Sequence, residues 1–245
     1  MESQKLVNKK FCRKMNILAV GCMPLDLEQS CFGTLSSFIQ NGHKIHIIIP
    51  QDDRLWTQKC VKRAKESADK IGIDEVHFID GFDYSAVTQH NASMLDSLTK
   101  TIGPSLVIMP FWKAFNKKRR ILSKTSLIAC RGIGNILMYE LDKNIHFHPQ
   151  IFFMISWNQI FKKSSLFTYG DSRSKVQRRN TFRSLDLTRM KLSSIPLSLI
   201  RKNVEYHQSG NKDLQPSTNS PLRSHNKKVP VEAFESHRML LVDEI

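Results

Sequence analysis

Between residues 16 and 140 the chain alternates short apolar runs with longer stretches of helical period, and few folds accept that alternation. The runs are Ile17–Val20, Lys44–Ile49 (KIHIII), Glu75–Ile79 (EVHFI), Ser105–Met109 (SLVIM) and Asn135–Tyr139 (NILMY). Gly21, Pro50, the acidic turn Asp80–Asp83 and Pro110 close the first four. Between them, Gln29–Asn41, Trp56–Ile71, His90–Ile102 and Arg119–Arg131 suit helices. Phe32, Leu35, Phe38 and Ile39 show the helical spacing in the first of these, and Gly42 and Gly72 stand where helix stops are expected. Strand–helix alternation of this kind predicts an α/β fold, a Rossmann-like doubly wound, largely parallel sheet with helices on both faces. Ile151–Ile155 adds a further strand, Trp157–Tyr169 a further helix, and Val231–Val242 reads as a short terminal helix.

The first run leads into the stretch that matters most for function, Asn16–Glu28 (NILAVGCMPLDLE). A buried strand that stops at a glycine and hands over to a helix puts the next loop at the carboxyl edge of the sheet, where open α/β sheets bind ligands. Pro24 sits in that turn, and Asp26 and Glu28 follow it. A second chemically loaded stretch is Lys117-Lys118-Arg119-Arg120. Four cations at a helix start oppose the helix dipole, so they form either a solvated face or a place for a phosphate or other anion.

Charge divides the chain. Residues 157–230 carry a net +11 of the total +15, whereas 231–245 carry −3. Gln208–Lys228 has almost no large apolar groups and cannot offset its ordering entropy. The expected organisation is a basic tail over 1–15, an α/β core over 16–170, a basic and partly mobile segment over 171–230, and a C-terminal helix over 231–245 that returns to the core. Gln177-Arg178-Arg179 with Phe182-Arg183 offers nucleic acid or an acidic membrane surface something to meet through 157–230. A solubilising face is favoured there, since no recognised nucleic-acid module is present.

Five scattered cysteines (Cys12, Cys22, Cys31, Cys60, Cys130) make no CxxC pair and fit reduced thiols. The first residues have no apolar h-region, and no apolar run reaches membrane-spanning length, so a cytoplasmic location is the expectation. No G-x-S-x-G elbow supports serine hydrolase chemistry. His43 and His46 at a strand start read as packed or surface histidines, and so do His146 and His148, although that second pair shares a side if extended. Cys22 and Cys31 flank the loop as small buried thiols, with a site rebuilt from Cys, Asp26 and His as the sharper alternative.

These residues resemble the LmbE/PIG-L family of zinc-dependent sugar N-deacetylases. The family's A-H-P-D-D-x-E loop falls on Cys22-Met23-Pro24-Leu25-Asp26-Leu27-Glu28, its G-T-L helix on Gly33-Thr34-Leu35 and its G-H strand on Gly42-His43. The helix with arginine and glutamate looks like Arg63…Glu66…Ile71-Gly72, followed by Phe78-Ile79-Asp80. The second metal loop, D-x-H/N-x-D-H, falls on Ala114-Phe115-Asn116-Lys117-Lys118-Arg119. Later likenesses are Ile136–Glu140, Phe147-His148-Pro149, Ile155-Ser156 and Glu232-Ala233-Phe234. In the family, as the resemblance implies, zinc-bound water attacks the acetamide carbonyl of an N-acetylglucosamine-type substrate, with an aspartate as base.

At the positions that matter for that chemistry the chain departs from the pattern. The ligand positions hold Met23, Asp26 and Arg119, and the base position holds Leu25. A thioether is a poor zinc ligand and a guanidinium cannot be deprotonated to become one. Asn116 holds the oxyanion-type position, and Lys118 adds positive charge where a cation would sit. The expectation is no cofactor, no bound metal and little or no deacetylation. Asp26, Glu28, Asn116, Lys118 and Arg119 remain as ligand-binding candidates for a sugar-containing or anionic small molecule. The alternatives are an active deacetylase with a rebuilt centre and a basic binder of nucleic acid or anionic surfaces. If the two loops meet, Arg119 is expected to lie against Asp26 and supply the charge a metal would bring.

Overall fold

The computed structural model describes residues 14–23, 25–51, 57–73, 75–141, 144–155, 159 and 231–238. The strands are β1 (Asn16–Val20), β2 (Lys44–Pro50), β3 (Glu75–Ile79), β4 (Leu106–Pro110), β5 (Asn135–Tyr139), β6 (Ile151–Met154) and β7 (Val231–Arg238). The helices are α1 (Asp26–Ser30), α2 (Phe32–Gln40), α3 (Gln58–Ile71), α4 (Gln89–Ile102) and α5 (Lys117–Ala129). The chain divides into two compact units, Met1–Ile151 with Phe234–Ile245, and Phe152–Ala233.

In the first unit the order is β3-β2-β1-β4-β5-β7. The pairs β1–β2, β1–β4, β2–β3 and β4–β5 are parallel, while β5–β7 is antiparallel. Alternate residues of the parallel strands are buried on both sides, so these strands read as nearly continuous apolar runs. Leu18, Val20, Ile48, Val107, Met109 and Met138 join Leu95 and Ile102 of α4 and Leu122 of α5 in one core cluster. The opposite parity (Ile17, Ala19, Ile47, Ile49, Ile108) is also buried, with α2 packed against β2 and α3 against α2. The doubly wound α/β prediction therefore stands. Among the described residues, no helix is long and apolar enough to cross a membrane.

Two expectations need revising. The helix expected over Gln29–Asn41 begins earlier and is two helices, because the backbone at Cys31 departs from helical angles (φ −136°) between α1 and α2. Over Val231–Arg238 the chain is a strand and not the helix expected there. Phe234 is fully buried, and β7 pairs Arg238, Ser236 and Glu235 with Ile136, Leu137 and Met138. A free edge on β5 offers backbone partners that a surface helix does not, and that tertiary pairing overrides local helical preference. The basic segment, most of the N-terminal tail, and the helix expected over 157–169 apart from Gln159 lie outside the described residues.

The strand order places the site. β1 connects outward through β2 to β3, whereas β4 and β5 lie on its other side. The winding reverses between β1 and β4, so the loops leaving their carboxyl ends diverge and leave a crevice. Those loops are the one that runs from Gly21 into α1 and the one that runs from Phe111 to Asn116.

Candidate functional site

Asp26 and Arg119 meet in that crevice. Asp26 opens α1, a single short turn whose entry requires a close approach to β1. A Cβ added at Gly21 would lie 3.2 Å from Leu27 Cγ, so a glycine at the strand end lets the helix pack down. Leu25 precedes α1 with φ 70° and ψ 7°, and among the described residues it is the one non-glycine with positive φ. That left-handed conformation costs a leucine about 1–2 kcal/mol relative to a residue without a Cβ. Strain of this kind clusters at binding and catalytic sites. Here it turns the chain so that Asp26 faces inward.

Arg119 comes from the third position of α5. Asn116 caps that helix, and its Oδ1 accepts from the Lys118 N–H at 2.9 Å and the Arg119 N–H at 3.2 Å. The cap fixes the first turn, and from there Arg119 reaches across to α1. Its Nη2 donates to Asp26 Oδ1 at 2.7 Å and its Nε to Oδ2 at 3.0 Å. Asp26 Oδ2 also accepts from the Met23 N–H at 3.0 Å. The Asp26 side chain is 2% exposed and that of Arg119 12%. The ion pair expected between them is present, as a two-pronged fork.

Three donors converge on the two oxygens of one carboxylate. Burial pushes the Asp26 carboxyl above its ordinary range, and the Arg119 guanidinium pulls it back by hydrogen bond and charge. Cys22, beside the loop, stays a thiol: burial pushes it up, and the Asp26 charge pushes in the same direction. Residues Met23, Asp26 and Arg119 do not fit a zinc ion. Both Asp26 oxygens are occupied by donors, the Met23 thioether accepts from Asn116 Nδ2 at 3.4 Å, and the remaining position is a cation.

The other predicted residues separate. Asn116 is part of the site but is occupied as a cap and as a donor to Met23. Glu28 is buried two residues along α1, with its carboxyl pKa raised by burial and its side chain held by Ser67 of α3, near Arg63. It lines, with Leu25, Leu27, Leu35 and Ile49, an apolar cavity of about 30 Å³, which has room for little more than a water. Lys118 Nζ lies 5.8 Å from the centre of the Tyr84 ring. Arg120 Nη1 turns back to the carbonyls of Ala114 (2.8 Å) and Phe115 (3.2 Å). Three of the cations that oppose the α5 dipole, Lys118, Arg119 and Arg120, thus have local partners. Phe115, in the loop before α5, is 62% exposed.

The histidines fare differently. His43 packs as expected: its Nδ1 accepts from the Met15 N–H at 3.2 Å and its ring stands edge-on to Phe38. The backbone N–H groups of His146 and His148 are held by Asn144 and Glu235. His46 is buried and lies beside His77 and Glu75. Sequence reasoning passed over those two residues, although Glu75 and His77 have the i, i+2 spacing that puts them on one face of a strand. What it lacked was the register that sets β3 against β2.

No family model matches the chain. Over 151 residues it is 27% identical to the uncharacterized deacetylase YaiS of Escherichia coli K12, a match that spans 57% of this chain and 82% of that protein. In structure it is similar to GalB, the 4-carboxy-2-hydroxymuconate hydratase of Pseudomonas putida KT2440, with a TM-score of 0.63 and 15% identity over 91% of this chain and 96% of that one. It is also similar to the N,N'-diacetylchitobiose deacetylase of Pyrococcus horikoshii, with a TM-score of 0.54 and 12% identity over 95% of this chain and 86% of that one. This chain is thus similar in sequence to a named deacetylase and carries a fold that a deacetylase and a hydratase share.

Proposed function

We propose that this chain is a deacetylase-like protein that does not hydrolyse amides, and that its crevice serves binding or scaffolding. One observation carries the reading: the Arg119 guanidinium holds both oxygens of Asp26. Amide hydrolysis in such a fold needs a water made nucleophilic by a metal or a base. Leu25 supplies no base, and Asp26, the remaining anionic member of the ligand set, is committed to Arg119. Asn116 as an oxyanion donor stabilises charge that no nucleophile here generates.

The ligand class follows from what borders the crevice. Lys117 and Lys118 give it positive character, and the exposed Phe115 ring offers a flat apolar face. A sugar-bearing or anionic small molecule fits both. The hydratase among the structural relatives supports a separation of fold from reaction.

Acetate release from N-acetylglucosamine conjugates, measured with the full chain and added zinc, tests the reading. The expected result is no acetate above the rate of buffer alone. Turnover that disappears in Asp26→Asn would establish a working centre instead.

A further inference from the structure

The neighbouring strands β2 and β3 hold a second polar cluster. In the β2–β3 register His46 stands opposite Glu75, and Ile48 opposite His77. Alternation therefore puts His46, Glu75 and His77 on one face, the face that carries Ile48 and Ile79. His46 Nδ1 lies 2.8 Å from Glu75 Oε2, and His77 Nε2 lies 3.4 Å from the same oxygen. The two rings are stacked with centroids 6.1 Å apart, and the three ligating atoms all fall within 4.8 Å of one another.

Distance alone does not make these contacts hydrogen bonds. Both nitrogens are shut off from solvent, and neither meets Glu75 in the straight line a good hydrogen bond needs, although the His46 ring and the Glu75 carboxylate interact closely. A buried polar atom without a well-aligned partner is uncommon and costly. Here two imidazole nitrogens converge on one carboxylate oxygen without the alignment that a shared proton requires. Lys44 Nζ, 3.2 Å from Glu75 Oε1, takes the other oxygen and leaves Oε2 facing the histidines. Two imidazoles and a carboxylate that converge in this way are a donor set for a cation.

We propose that His46 Nδ1, His77 Nε2 and Glu75 Oε2 form a binding site for one divalent transition-metal ion of the zinc class. Nitrogen donors suit zinc and its neighbours better than magnesium or calcium, which take oxygen cages. Donors around a tetrahedral zinc stand about 3.3 Å apart, so the cluster must contract at its widest pair and open slightly at its narrowest. The His46 side chain, 6% exposed, is the fixed anchor. Those of Glu75 (42%) and His77 (31%) have room to adjust. The exposed side of Glu75 leaves a fourth position for water or an exogenous ligand. This site is separate from the Asp26 crevice, since it lies within the first halves of β2 and β3, whereas Asp26 follows the carboxyl end of β1.

Calorimetric titration of the full chain with zinc chloride at neutral pH tests the assignment. The expected result is one equivalent bound, weakened about tenfold or more in Glu75→Gln and in His77→Ala. Both altered side chains are partly exposed, and circular dichroism checks that the fold persists. Cobalt(II) in place of zinc should give visible absorption bands that both variants lose. The His146→Ala/His148→Ala variant should bind as the unaltered chain does. Absence of zinc binding, or binding unchanged in both Glu75→Gln and His77→Ala, would overturn the proposal.

Discussion

The sheet carries two polar clusters that treat charge in opposite ways. At the carboxyl end of β1, Asp26 is buried and fully engaged: one arginine and one backbone N–H take both its oxygens. On β2 and β3, two histidine nitrogens are buried around Glu75 and poorly aligned for hydrogen bonding to it. The first cluster carries its cation within the chain, as a side chain that cannot dissociate. The second presents donors and no cation of its own between them, since Lys44 sits on the far oxygen of Glu75. A covalently held guanidinium closes a site, whereas converging imidazole and carboxylate donors leave one open.

The largest expected effect comes from breaking the closed cluster. Arg119→Ala would leave Asp26 buried and unpaired and cost about 3–5 kcal/mol of stability, measured by urea unfolding. Replacing both partners, Asp26→Leu with Arg119→Met, should return most of that loss, because apolar groups of similar volume need no pairing. If Arg119→Ala proved neutral, the fork would not be holding the crevice together. A smaller gain is expected at the turn that aims Asp26. Leu25→Gly removes the left-handed strain and should stabilise by about 1 kcal/mol, offset in part by the apolar contact Leu25 makes in the small cavity.

The smallest effect concerns pH, and it has opposite signs in the two clusters. Burial lowers the His46 pKa below its ordinary 6.5. Its contribution is therefore fully present above pH 6.5 and is lost as pH falls toward the folded value. Burial raises the pKa of Asp26 and Glu28, so their contribution grows as pH falls through their folded values and declines as it rises. Mild acidification should accordingly loosen β2 and β3 before it touches the Asp26 loop. Amide hydrogen exchange at Ile47 and Val76, compared with Leu27, reads the difference, and faster opening at Leu27 than at Ile47 would reverse the assignment.

Much of this molecule was legible in the residues. Apolar runs closed by Gly21, Pro50 and Pro110 locate β1, β2 and β4 to within a residue or so, because a strand buried on both faces leaves little latitude in composition. The pairing of Asp26 with Arg119 was also legible, since a carboxylate kept in a buried loop needs a counter-charge and the second loop offered one. The terminal strand was not. Residues VEAFESHR carry their apolar groups at spacings that suit a helix as well as a strand, and only the free edge of β5 decides between them. Nor was the cluster at His46. Its members lie on two strands, and the register between those strands is set by the packing of the whole sheet, which no local pattern records.

We propose that Arg119 stands where a metal would otherwise bind Asp26. Zinc titration of the Glu75→Gln/His77→Ala variant tests this most directly, because the cluster on β2 and β3 no longer contributes there. This variant is expected to bind no tight equivalent of zinc through Asp26, so adding Asp26→Asn changes nothing in the titration. One equivalent that persists in Glu75→Gln/His77→Ala and vanishes on Asp26→Asn would contradict it.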